Sequence, residues 1–145
     1  MRLFNYATIT LAALVLCACN TLPTYTPGAD TKMVPIRVMS GGTYSLCQKG
    51  KRFSLPLKME ANDVGHIYVP AGDVIGLSVY SSQPGYNKIT YCTVGLNFKP
   101  MENHAYVMNS GLYESKCFTE LVRQDSSKDT GVSVDSSVTY YSCTP

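Results

Sequence analysis

The residues of this chain with the most chemistry to offer are its six cysteines. Four of them, Cys47, Cys92, Cys117 and Cys143, are separated by 45, 25 and 26 positions. A structural zinc site wants closely spaced pairs such as C-x-x-C, and these four supply none. A catalytic thiol needs a polarising base beside it, usually histidine, and four thiols that can all pair leave no odd one over. In an exported chain an even set reads as disulfides. Three connectivities are possible, and the favoured one joins Cys92 to Cys117 and Cys47 to Cys143. If segments 89–98, 104–109 and 116–123 formed a simple meander, Cys92 and Cys117 would sit two strands apart, at ~9.5 Å, too far to bridge. The favoured pairing therefore requires the third of these strands to cross to a facing sheet.

Other catalytic ingredients are thin. The two histidines, His66 in Gly65-His66-Ile67-Tyr68 and His104 at a turn exit, read as surface residues. No G-x-S-x-G elbow, H-E-x-x-H helix or phosphate-cradling glycine loop occurs. The carboxylates are scattered singly, which gives no support to paired acid–base chemistry. The chain is expected to be non-catalytic, to need no metal or cofactor and to take no small-molecule ligand. Twelve Lys and Arg stand against ten Asp and Glu, a balance too even to build a field for nucleic acid.

Export is legible at the start of the chain. Met1-Arg2 carries positive charge, and residues 3–18 carry none and are mostly Leu, Ala, Val, Ile and Thr. A basic start followed by a short apolar core is the layout of a secretory signal peptide. The run falls short of the roughly 20 apolar residues of a membrane span. Its end, Leu16-Cys17-Ala18-Cys19, resembles the lipobox of bacterial lipoproteins. That resemblance implies cleavage after Ala18, a diacylglycerol on the Cys19 sulfur and acylation of the new amine. Cys17 does not fit the role, because Leu16 would then occupy the small-residue position. Two or more acyl chains give stable anchoring, at about 0.8 kcal/mol per buried methylene. In this family Asp after the lipidated cysteine retains the protein at the inner membrane. Asn20 here implies the route to the outer membrane, with the domain facing the periplasm. The organisation expected is signal peptide 1–18, lipidated N-terminus and tether 19–32, and one domain over 33–145. The tether NTLPTYTPGADTK is rich in Thr, Pro and Gly, a composition that favours flexibility and turns.

The elements that must position the cysteines are strands. Val34, Ile36 and Val38 alternate with other residues. Ile67 and Val69 lead into a Pro70-Ala71-Gly72-Asp73 turn, and Ile75, Leu77 and Val79 share one face. Gln83-Pro84-Gly85 reads as another turn. Cys92, Val94, Leu96 and Phe98 alternate cleanly, Pro100 to Asn103 turns the chain, and Tyr106 and Met108 flank Val107. Cys117, Thr119 and Leu121 run along a further strand. After a polar loop near 124–137, Val138 to Ser142 makes the last. Some seven short strands predict an all-β chain, a small disulfide-stapled β-sandwich, with a small β-barrel as the alternative.

"VPAGDVIGLSVY", "CTVGLNFKPMENHAYVM" and "KCFTELV" together resemble a diffuse group of small proteobacterial lipoproteins. The likeness covers residues 69–122. It implies a β-sandwich and no assigned activity, so no catalytic residue carries over. Glu102-Asn103-His104 departs from the group, which usually has Gly in that turn; Asn103 can adopt the left-handed conformation Gly would supply. Two regions could serve binding. Lys49, Lys51, Arg52 and Lys58 cluster around a Gly-containing segment suited to anionic surfaces. Tyr80, Tyr86 and Tyr91 flank the segment 81–85, and tyrosine suits interfaces. The role expected is a non-catalytic envelope accessory that binds a protein partner, with an inhibitor or immunity-type binder of a hydrolase as the alternative.

Overall fold

The structure is a computed structural model that describes residues 21–60 and 65–143. Cys17, Cys19 and the signal segment lie outside the described residues. Among these described residues, eleven strands form two packed sheets. They are β1 (Met33–Val38), β2 (Thr43–Gln48), β3 (Lys51–Leu55), β4 (Lys58–Met59), β5 (Gly65–Pro70) and β6 (Ile75–Gly85). After them come β7 (Lys88–Phe98), β8 (Tyr106–Tyr113), β9 (Lys116–Gln124), β10 (Val132–Val134) and β11 (Thr139–Tyr140). One sheet runs β11-β7-β6-β2-β3 and the other β10-β9-β8-β1-β5-β4. Neither closes on itself, so the fold is a β-sandwich and the barrel alternative falls away. Every neighbouring pair is antiparallel except β1 with β8.

The inward residues are those the period-two pattern marks. Val34, Ile36, Val38, Ile67, Val69, Tyr106, Met108 and Leu121 come from one sheet. Tyr44, Leu46, Leu55, Ile75, Leu77, Val79, Leu96 and Phe98 come from the other. Phe98 and Tyr106 meet edge to face across the gap, ring centroids 5.3 Å apart, a geometry aromatic quadrupoles favour.

Both favoured disulfides are present: Cys47–Cys143 and Cys92–Cys117, each with Cα atoms 5.6 Å apart. The crossing that permits the second occurs one strand earlier than the sequence reading placed it. The chain changes sheet in residues 99–105, so β8 and β9 both lie opposite β7, and Cys92–Cys117 ties the two sheets together. Asn103 in that connection has φ 60°, the left-handed conformation expected of it.

Three further readings need correction. Residues 83–85 are not a turn but the end of β6, paired with residues 88–90; the turn is Tyr86 and Asn87. Pro84 is one residue in from the Gly85–Lys88 closing pair, the position where a ladder makes no cross-strand bond. Its missing N–H therefore faces the side where β2 has already ended. Second, β2 and β3 were absent from the sequence-derived strands, because in "TYSLCQKGKRFSL" the polar and basic run Gln48 to Arg52 interrupts the apolar alternation. They form a tight hairpin through Lys49 (φ 51°) and Gly50 (φ 72°). Third, the stretch read as a tether is partly docked. Ser54 N–H donates to Pro23 O (2.8 Å), Tyr25 N–H donates to Ser54 O (2.9 Å), and the Tyr25 ring stands edge-on to Phe53. Thr24 and Ser54 thus form a parallel bridge on the outer edge of β3.

Candidate functional site: two ends of one sheet

The β2–β3 turn and the tyrosine hairpin belong to the same five-stranded sheet, at its opposite ends. Cys47 pairs with Gly76 and Thr43 with Tyr80. Following β6 from Gly76 to Gly85 therefore leads from one candidate region to the other. Ten residue steps at ~3.3–3.4 Å separate Ile75 from Gly85, about 33–34 Å.

At the first end the tight turn displays Lys49 and Lys51. Lys49 Nζ lies 4.0 Å from Asp73 Oδ2, with both side chains solvent-exposed, a pair that contributes little to stability. Arg52 sits over the ring of Tyr141, 5.8 Å from its centroid. Lys58, grouped with these residues by sequence, is carried to the other sheet by β4, where its ammonium lies 4.9 Å from the Tyr68 ring centroid.

The chain's last described residues cross this end as a strap. β11 pairs with β7 at Leu96 and Asn97. The Ser142 amide then donates to Asn97 Oδ1 (3.2 Å), and Cys143 is bonded to Cys47 on β2. Tyr141 lies across β7 and β6 on the way. Gly95 and Gly76 make the room: a Cβ at Gly95 would meet Tyr141 Cδ2 at 2.9 Å, and one at Gly76 would meet Tyr141 Cε2 at 2.9 Å. Beneath the strap Ser45 and Ser78 share a 2.7 Å hydrogen bond. This cover explains why five consecutive residues of β6, Ile75 to Val79, are buried on both faces.

The strap is entered through Asp135. The Ser137 hydroxyl (2.6 Å) and amide (2.8 Å) donate to its Oδ1. Burial pushes the Asp135 carboxyl upward, but those hydrogen bonds outweigh it and hold the group below its ordinary value. Burial raises the nearby Tyr106 phenol.

At the second end β6 and β7 run on past β2 as a two-stranded hairpin. Tyr80 and Tyr91 stack on its outer face, centroids 6.1 Å apart and planes 8° from parallel. Tyr86 at the tip is 94% exposed, Ile89 and Tyr91 60% each and Tyr80 48%. Cys92–Cys117 fixes the hairpin's base to β9.

Two features of this end were not read from the sequence. β11 covers only Leu96 and Asn97, so among the described residues β7 has no strand partner on its outer side from Lys88 to Gly95. Beside that edge opens a cleft of ≈ 770 Å³ lined by Val94, Leu96, Phe118, Leu121, Val138 and Tyr140. Both depend on which strands become neighbours, which alternation along one strand does not reveal.

The two histidines sit on different elements of the fold. His66 lies on β5 with Nδ1 3.3 Å from Glu60 Oε1. In the β7–β8 connection the His104 Nδ1–H donates to the Glu102 carbonyl oxygen at 2.9 Å. Among the described residues no three His, Cys, Asp or Glu side chains gather as a metal site would require, and no helix is long and apolar enough to cross a membrane. The geometry defines the class, an all-β two-sheet sandwich stapled by two disulfides. Comparison with known protein families, curated proteins and solved structures finds no match.

Proposed function

We propose that this protein is a lipoprotein anchored through Cys19 to the outer membrane, facing the periplasm, and that it acts without catalysis by binding a protein partner of the envelope. The observation that carries the binding role is the tyrosine hairpin: four large side chains, Tyr80, Tyr86, Ile89 and Tyr91, exposed on an arm held at its base by a disulfide. Tyrosines of this kind are the residues that concentrate binding energy when a partner buries them. An arm tied at its base by a disulfide has less conformational freedom to lose on binding than an untied loop. The open edge of β7 adds a row of backbone donors and acceptors on which a partner strand can pair.

The anchoring rests on the lipobox resemblance at Leu16 to Cys19. Placing a photocrosslinking residue at position 86 in cells tests the whole reading. A discrete adduct with a resident envelope protein, lost when Cys19→Ser removes the anchor, is the expected result. Recovery of an incoming hydrolase instead would favour the inhibitor, and absence of any adduct at 86 with adducts elsewhere would displace the hairpin as the binding surface.

A further inference from the structure

The docking of Pro23 to Tyr25 gives the anchored protein a direction. Because Thr24 bridges Ser54 in parallel, the chain on the N-terminal side of Thr24 heads back along β3 toward Lys51, not toward the tyrosine hairpin. Cys19 is five residues before Thr24, so it lies within about 16–18 Å of it however the intervening chain runs. That reach covers the β2–β3 corner. It falls short of the hairpin tip: Ser54 is level with Ser45 and Ser78, and Gly85 stands seven residue steps, about 23–24 Å, further along β6.

The corner's chemistry suits what the anchor would bring close. Lys49, Lys51 and Arg52 are exposed, with Asp73 the acidic group beside them. Lys51 has no ion-pair partner among the described residues. Lys49 meets Asp73 only at 4.0 Å in solvent. The Arg52 guanidinium is placed over Tyr141, and so is held at the corner.

We infer that the β2–β3 corner is a headgroup-facing surface: with Cys19 anchored, Lys49, Lys51 and Arg52 rest against anionic phospholipid phosphates, and Tyr86 is displayed away from the bilayer. This rests on the lipoprotein reading proposed above. The corner lies within the anchor's reach, where the field of an anionic surface is felt over about 8–10 Å. Each basic side chain there shifts the docked-to-undocked ratio about fivefold. The two ends of the sheet thus divide the work, one orienting the domain and the other meeting the partner.

The test uses the full-length protein purified from membranes, whose intact mass reports acylation. It is placed in vesicles of phosphatidylcholine alone or of phosphatidylcholine and phosphatidylglycerol in equal parts, and amide hydrogen exchange is followed. Slower exchange at residues 49–53 in the anionic vesicles, unchanged exchange at residues 86–88, and loss of the difference in Lys49→Gln/Lys51→Gln with an unaltered melting temperature are expected. An acylated protein with no composition-dependent protection at the corner, or with protection at the hairpin tip, overturns the inference and leaves the lipoprotein reading standing. A mass without acyl groups overturns the lipoprotein reading itself.

Discussion

The two ends of the five-stranded sheet are built from the same strands and behave as different materials. At the β2–β3 end every strand has neighbours, a strap crosses the outer face, and Cys143 is sewn to Cys47. Among the described residues, β6 and β7 continue at the hairpin end with only each other as strand partners and one bridge at the base. At the first end Tyr141 is half-buried, seated on two glycines, although its neighbour Tyr140 is 98% exposed. At the second end all of the large outward side chains are displayed. Tyrosine is thus structural or available according to whether a third layer reaches it, and nothing in the residue type distinguishes the two.

The largest effect should come from opening the closed end. Cys47→Ala/Cys143→Ala releases the strap and a loop of 96 residues, for which chain entropy gives a loss of about 4.7 kcal/mol. The smaller loop of Cys92→Ala/Cys117→Ala gives about 3.5 kcal/mol and should also free the base of the hairpin. Denaturant unfolding of the two double variants checks the order, and hydrogen exchange should show strap residues released in the first and hairpin residues in the second.

Gly95→Ala tests the strap without touching a disulfide. The new Cβ would meet the Leu77 carbonyl oxygen at 2.8 Å and Tyr141 Cδ2 at 2.9 Å, overpacking that costs about 1–3 kcal/mol. The same change at an outward residue of the hairpin tip should cost nothing measurable.

Asp135→Ala should destabilise by about 1–3 kcal/mol near neutral pH, since it leaves the Ser137 donors unpaired at the entry to the strap. The sign with pH follows from a carboxyl held below its ordinary value in the folded state. Its contribution is full above the unfolded value and is lost as pH falls through the folded one. The gap in stability between wild type and variant should therefore narrow as pH drops below the ordinary carboxylate range, which thermal melts across acid pH would reveal.

Least affected in stability should be Tyr86→Ala, within about 0.5 kcal/mol, and a double-mutant cycle on Tyr80 and Tyr91 should return a coupling of about 0.5–1.5 kcal/mol at most.

Much of the fold was legible because burial on one face imposes a period of two. Cys92, Val94, Leu96 and Phe98 announced β7, and the even, widely spaced cysteines announced the bridges. What escaped was set by neighbours. β2 and β3 bury only Tyr44, Leu46, Cys47 and Leu55 around a basic turn, so their pattern is faint; β2 is a strand because β6 is beside it, and β3 because β2 is. Pro84 and Gly85 look like a turn, yet an edge position tolerates both, and the chain reverses two residues later. Of the candidate binding residues, Tyr80, Tyr86 and Tyr91 stay together on one arm. Lys58 leaves the basic group because residues 56–57 carry the chain to the other sheet. The free edge of β7 had no sequence signal at all.

The division between an orienting end and a binding end is tested most directly by measuring the affinity of the partner crosslinked at position 86 for three purified proteins. These are the wild type, Tyr86→Ala/Tyr91→Ala and Lys49→Gln/Lys51→Gln. The account predicts that the tyrosine pair, at about 2 kcal/mol or more for buried interface anchors, lowers affinity at least about 30-fold with an unchanged melting temperature, while the lysine pair binds as wild type. Equal affinity for all three, or a loss confined to the lysine pair, would contradict it.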